Sequence, residues 1–141
     1  MEQFSEFVGN HLILFSLLAA VSVALVLNIW AGISAPGKSV TPPSLIQLIN
    51  HESAAVLDIR DREAFERGHI MDAVHIPVRT LQENLVQLER YKQGGLVVVC
   101  QAGNLAAQAT GILAKSGFTD LYRLQGGISA WQSENLPLTR E

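Results

Sequence analysis

The chain has 141 residues, with ten Lys and Arg against thirteen Asp and Glu and a formal net charge of −3, enough for one domain of ordinary size plus an appendage. That balance excludes nucleic acid as a partner, since phosphate binding needs a clustered basic surface. A single cysteine, Cys100, excludes an internal disulfide framework and a thiolate metal cluster, and it fits a reducing compartment better than an oxidising one.

The first element is apolar. Residues 12–33, "LILFSLLAAVSVALVLNIWAGI", form a run of 22 without a charge. As a helix it spans about 33 Å, close to the roughly 30 Å hydrocarbon core of a bilayer. Trp30 stands where an interfacial aromatic belongs. A cleaved signal peptide fits less well: the tail at residues 1–11 carries Glu2 and Glu6 but no Lys or Arg, and Pro36 follows the small-residue site "ISA". A buried soluble helix rarely stays apolar on every face over this length. The segment is therefore expected to be a single membrane anchor. All ten basic residues follow it, beginning with Lys38. The positive-inside rule then predicts an outside N-terminus and a cytoplasmic C-terminal domain, as in a single-pass protein of a bacterial inner membrane.

Residues 34–40 read as a linker, opening the Pro-, Gly- and Ser-rich stretch "SAPGKSVTPPS" that leads into a fold. From residue 41 to residue 141 short apolar strands alternate with amphipathic helices. Thr41 caps a helix that has Pro42 at its first position, "SLIQLIN". "AAVLDI" is a buried strand, "REAFER" a short helix closed by Gly68, and "AVHIPV" a strand stopped by Pro77. Thr80 and Glu83 have the spacing of a capping box opening "LQENLVQLERY". After Gly94-Gly95 come the strand "LVVVC", a loop, a helix from Ala106 to Ser116, the strand "DLYRL", the turn Gly126-Gly127 and the helix "ISAWQS". This alternation predicts an α/β fold around a parallel sheet, with ligands at the carboxyl ends of its strands.

Cys100 stands at such an end. Two readings are open for it. A loop leading from a strand into a helix aims several N–H groups at one point and stabilises a thiolate there, and Gly103 suits the tight backbone this needs. Alternatively, a free cysteine is a small buried side chain that fills space. Asp58 and Arg60 close the strand near that loop and read as a structural ion pair or a solvated strand end. His51, His69 and His75 share no short ligand spacing with Cys100, so no metal is expected. Trp131 is assigned to the core.

Three segments, "LDIRDREAFERGHI", "VVVCQAGNLAA" and "GFTDLYRLQGGISAWQSENLP", occur in the order found in rhodanese-like domains, and the stretch from Val40 to Pro137 resembles that family. The resemblance implies a domain with a central parallel sheet of about five strands flanked by helices. It also implies a function: a cysteine takes sulfane sulfur from thiosulfate or a persulfide, holds it as a cysteine persulfide, and passes it to a thiol, with no cofactor. Carried onto this chain, Cys100 is the nucleophile, and the amides of Gln101, Ala102, Gly103, Asn104, Leu105 and Ala106 surround the sulfur. Asp58 and Arg60 then orient the loop, while Glu66 and His69 tie a helix end to the next strand. Many active members have a basic residue directly after the cysteine and an arginine or serine at the sixth loop position; this chain has Gln101 and Leu105. Weak turnover of thiosulfate is therefore expected, each missing charge-assisted contact being worth about 1.5 to 3 kcal/mol. Cysteine phosphatase chemistry is disfavoured, because the position of its phosphate-clamping arginine holds Ala106. The uncharged loop leaves a second reading, a weakly active or inactive module that binds a membrane-protein partner.

Overall fold

The computed structural model describes Phe7, residues 11–33 and residues 35–140, and the chain divides into two compact units, residues 1–34 and 35–141. Most of the expected tail at residues 1–11 lies outside the described residues, as do Ser34 of the linker and Glu141.

The first unit holds one helix, α1 (Leu12–Ile33). Over residues 12–30 its leucines, isoleucines and valines are exposed, Leu14, Leu18 and Leu27 among them. Ser16 Oγ donates to the Ile13 carbonyl at 2.9 Å, so its hydroxyl is satisfied within the helix. Length and composition make α1 a candidate membrane span.

The second unit is an α/β domain. Its elements are β1 (Lys38–Val40), α2 (Pro42–Glu52), β2 (Ala55–Asp58), α3 (Arg62–Arg67), β3 (Val74–His75), two 3₁₀ segments (Val78–Thr80 and Gln82–Tyr91), β4 (Leu96–Val99), α4 (Ala106–Lys115), β5 (Leu121–Leu124) and α5 (Gly127–Ser133). The five strands form one sheet in the order β1-β5-β4-β2-β3, and every pairing is parallel.

The sheet is covered on both faces, which explains the nearly continuous apolar β4, buried at every position. Alternation along β4 sends Leu96 and Val98, with Cys100 beyond them, into one core with Leu57, Leu88, Ala109 and Leu113. Val97 and Val99 face the other core, with Leu45, Val56, Tyr122, Ile128 and Trp131. Thr41 caps α2 through its Oγ1, which accepts the Ser44 N–H at 3.5 Å, and proline occupies the first turn. Beside β5, the Tyr122 phenol donates to Asp120.

Three sequence expectations change. Lys38–Val40, read as linker, pair with β5 as an edge strand. "AVHIPV" contributes only Val74 and His75 to the sheet, because its later backbone turns into the first 3₁₀ segment at Pro77. No capping box forms at Thr80. Its Oγ1 donates back to the Pro77 carbonyl at 3.3 Å, and the segment Gln82–Tyr91 winds as 3₁₀ helix with a break at Asn84, whose side chain caps the Thr80 carbonyl at 2.8 Å.

The connections position the site. From β2 the chain moves outward to β3; from β4 it moves the opposite way to β5. β2 and β4 are neighbours, so the crevice beyond their carboxyl ends is the switch point where α/β sheets bind ligands.

Candidate active site

Cys100 is the first residue after β4, and it is 1% exposed. Gly103 turns the loop with φ +91°, a region that favours glycine, and its N–H donates to Cys100 Sγ at 2.9 Å. A side chain there would press on the Gly126 backbone nitrogen at 3.2 Å. The ring of six amides expected from Gln101 to Ala106 is thus represented by one N–H on the sulfur. The Leu105 N–H is taken by Asn104 Oδ1 at 3.1 Å. Leu105 itself precedes α4 without giving it a side-chain cap, so the positive end of the helix dipole stays near the loop. Leu105 is 44% exposed and Ala106 is buried against the sheet.

Helix α5 holds the loop. The carbonyl of Cys100 accepts the Ile128 N–H at 2.9 Å, and that of Gln101 accepts the Ser129 N–H at 3.0 Å. Ser129 Oγ donates to the same Gln101 carbonyl at 3.0 Å and stands 3.2 Å from Gln101 Nε2. Gly127 makes this approach possible: a Cβ on it would collide with the backbone of Cys100 and Gln101. Sequence reasoning took Gly126-Gly127 as a turn and missed this role; the signal lay in a second glycine where the turn requires only one.

The opposite wall comes from the end of β2. Asp58 and Arg60 are both buried and form a two-toothed ion pair, with Nε donating to Oδ1 at 3.0 Å and Nη2 to Oδ2 at 2.7 Å. Arg60 Nη2 also donates to the Gly68 carbonyl at 2.8 Å. Its Nη1 reaches Gln101 Oε1 at 3.5 Å, which joins this wall to the cysteine loop. His75 Nε2 donates to the Arg60 carbonyl at 2.8 Å. Phe65 lies between His69 and His75, with ring centroids 3.7 and 4.3 Å away.

Glu66 does not tie α3 to the following strand: it pairs with Arg62 one turn earlier at 2.7 Å, on the surface. His69 ties the end of α3 to the C-terminal segment instead. Its Nδ1 meets the Phe65 carbonyl at 2.9 Å, and its backbone bridges Thr139 in both directions at 2.8 and 2.9 Å. His51 is exposed on α2, apart from this group. Trp131 is buried, and its Nε1 donates to the Pro137 carbonyl at 3.0 Å.

Between the two walls lies a pocket of about 500 Å³ that contains Cys100, Gln101, Asn104 and Leu105 on one side and Arg60, Arg67 and Arg79 on the other. Arg67 and Arg79 are exposed and were not anticipated. Arg67 is the last residue of α3 and Arg79 lies within the 3₁₀ segment Val78–Thr80, and these elements bring the two to one crevice. A buried sulfur at the floor, an N–H donated to it and guanidinium groups around the opening favour attack by sulfur on an anionic or polarised partner.

Comparison with known proteins follows the same lines. The family model described as Rhodanese-like domain matches residues 41–134. The chain is 33% identical to the protein YibN of Escherichia coli K12 over 141 residues, 99% of each chain. It is 35% identical over 92 residues to the thiosulfate sulfurtransferase GlpE of Pseudomonas syringae, 65% of this chain and 85% of that one. Among solved structures, a rhodanese-related protein from Thermoplasma volcanium superposes with a TM-score of 0.67 at 29% identity, covering 74% of this chain and 99% of the other. A rhodanese-like domain protein from Staphylococcus aureus gives 0.65 at 28% identity, with 74% and 98% covered. With the model spanning more than half of its length and relatives above 30% identity, the chain belongs to the rhodanese-like domain family.

Proposed function

We propose that the protein is a membrane-anchored sulfurtransferase that faces the cytoplasm and carries sulfane sulfur on Cys100. One observation supports this above the others: the Gly103 N–H donated to Sγ at 2.9 Å on the floor of the pocket. An N–H aimed at sulfur favours the thiolate as nucleophile. With thiosulfate, the Cys100 thiolate attacks the outer sulfur, the sulfur–sulfur bond of the donor breaks, and sulfite leaves with the bonding pair. An acceptor thiolate then attacks the outer sulfur of the Cys100 persulfide, and Cys100 leaves as thiolate. Sulfur changes hands twice, and no external oxidant or reductant enters. The likeness to GlpE, named a thiosulfate sulfurtransferase, supports the same chemistry.

Anchoring rests on α1, uncharged over a length matching a bilayer. Orientation rests on the basic residues, which all follow that helix.

The test uses the full chain in detergent. Incubation with thiosulfate or an organic persulfide should add about 32 Da, the mass of one sulfur, to Cys100, and Cys100→Ser should gain nothing. No adduct from any sulfane donor between about pH 6 and 9 leaves only the tethered binding module. For orientation, alkaline phosphatase fused after Arg140 should stay inactive in a bacterial host, because its disulfides do not form in a reducing compartment.

A further inference from the structure

A second pocket lies apart from Cys100. Its volume is about 340 Å³, and it is lined by Arg62, Phe65 and Glu66 of α3, by His69 and His75, and by Arg140 near the end of the chain. It shares no lining residue with the Cys100 pocket. The backbones of His69 and Thr139 bridge each other at 2.8 and 2.9 Å, which brings Arg140, the next residue, to this side of the domain.

Two imidazoles in this pocket are half used. His69 Nδ1 meets the Phe65 carbonyl at 2.9 Å, and His75 Nε2 meets the Arg60 carbonyl at 2.8 Å. A carbonyl only accepts, so each of these nitrogens carries the proton of its neutral ring, and the other nitrogen is left with a lone pair. Neither His69 Nε2 nor His75 Nδ1 has a hydrogen-bond partner among the described residues. His69 is only 4% exposed. An unpartnered nitrogen on a ring so enclosed, in the lining of a pocket, points to a ligand.

Charge and donor chemistry narrow the choice. Glu66 is the one carboxylate in the lining, and Arg62 holds it at 2.7 Å. Arg140 is exposed and makes no ion pair among the described residues. A metal ion fits poorly. Phe65 stands between the two imidazoles, with centroids 3.7 and 4.3 Å away, so their free nitrogens do not close on one ion at the roughly 2 Å of a metal bond. A carboxylate would answer Arg140 but has no proton for a lone pair. A phosphate group that keeps one hydroxyl does both: its oxygens accept from guanidinium and its P–OH donates to an imidazole nitrogen.

We propose that this pocket is a second ligand site, specific for a phosphate group, in which Arg140 binds the oxygens and His69 Nε2 accepts from the P–OH. The site is independent of the sulfur chemistry at Cys100. Soluble phosphate and a phospholipid headgroup offer the same group.

The experiment titrates inorganic phosphate into the full chain in neutral detergent and follows the imidazole NMR signals. Those of His69 and His75 should shift and half-saturate at about 1 mM, the affinity of a few charge-assisted contacts at an exposed rim. His51, exposed on α2, should not move and is the internal reference. Arg140→Glu should weaken binding about tenfold. Glu66→Gln, which removes the one acid and releases Arg62, should tighten it about threefold, a gain that a misfolded protein does not give. Arg79→Gln, in the other pocket, should change nothing. Phosphatidylcholine nanodiscs with and without phosphatidic acid test the lipid source, where saturable shifts from phosphatidic acid alone assign the group to a headgroup. The inference is overturned if neither source gives saturable shifts, if chloride at matched ionic strength reproduces them, or if Arg140→Glu leaves them intact. Loss of binding in Arg79→Gln overturns it too, since the anion then sits beside Cys100.

Discussion

The carbonyl of Cys100 accepts the Ile128 N–H at 2.9 Å, and it can do so because the intervening contact, with Gly127, involves no side chain. A Cβ at Gly127 would overlap the Cys100 and Gln101 backbone, and its φ of +59° adds strain for any L side chain. Gly127→Ala should therefore displace the cysteine loop from α5. The expected cost is about 2 kcal/mol or more, read by urea unfolding, together with loss of sulfur loading at Cys100. A variant that unfolds at the wild-type urea midpoint contradicts this view of the loop.

The Asp58–Arg60 pair makes a separate prediction. Both side chains are nearly inaccessible, so removing one leaves the other charge buried and unpaired. Arg60→Leu or Asp58→Leu should cost about 3 to 5 kcal/mol, while the double replacement by apolar residues should cost much less than the sum. Arg60→Lys should not restore the pair, since a lysine cannot span both oxygens of Asp58 and also reach the Gly68 carbonyl. Denaturant unfolding of the four variants measures the coupling directly.

Leu105 offers a gain of function. It is largely solvent-facing and gives α4 no cap, so replacing it should leave stability within about 0.5 kcal/mol. Leu105→Arg should raise kcat/KM for thiosulfate by about tenfold or more, by adding one charge-assisted contact near the sulfur. Steady-state cyanide or thiol assays check it.

Stability should also fall at alkaline pH through Tyr122. Its donated hydrogen bond to Asp120, its burial and the negative charges of Asp120 and Glu52 all hold the phenol above its ordinary value near 10. A group with a raised value in the folded state stabilises the fold in its protonated form, fully below the ordinary value. That contribution disappears as pH rises through the folded value. Thermal unfolding from pH 8 to pH 11 should show an added decline above about pH 10, and Tyr122→Phe should remove the decline.

Much of this molecule was legible from its residues. A continuous Val run marked β4 as a strand buried on both sides, and its end marked the place of Cys100, because periodicity and length are set by local chemistry. β1 was not legible: three residues, "KSV", carry no periodicity, and only their pairing with β5 makes them a strand. The false capping box at Thr80 failed for a related reason, since Pro77 and Asn84 offered closer partners and drew the segment into 3₁₀ turns. In the site, Cys100 and Gly103 could be placed by the strand–loop–helix order. Arg67 and Arg79 could not, because nothing local says that a helix end and a short turn converge on one crevice. Nor could the number of amides reaching the sulfur be read from the loop, where Asn104 claims one for itself.

The divergence of the chain between β2 and β4 has an evolutionary corollary. Apart from Ile128 and Gln132 on α5, the crevice is lined by the connections that follow β2, β3 and β4 and by Leu138 near the end of the chain, whereas the hydrophobic load is carried by the strands and by the helices laid on them. Exchanges at Arg67, Arg79 or Leu105 leave the β ladder intact, so a descendant of this protein can be retuned for a different sulfur carrier while its scaffold stays as stable as before.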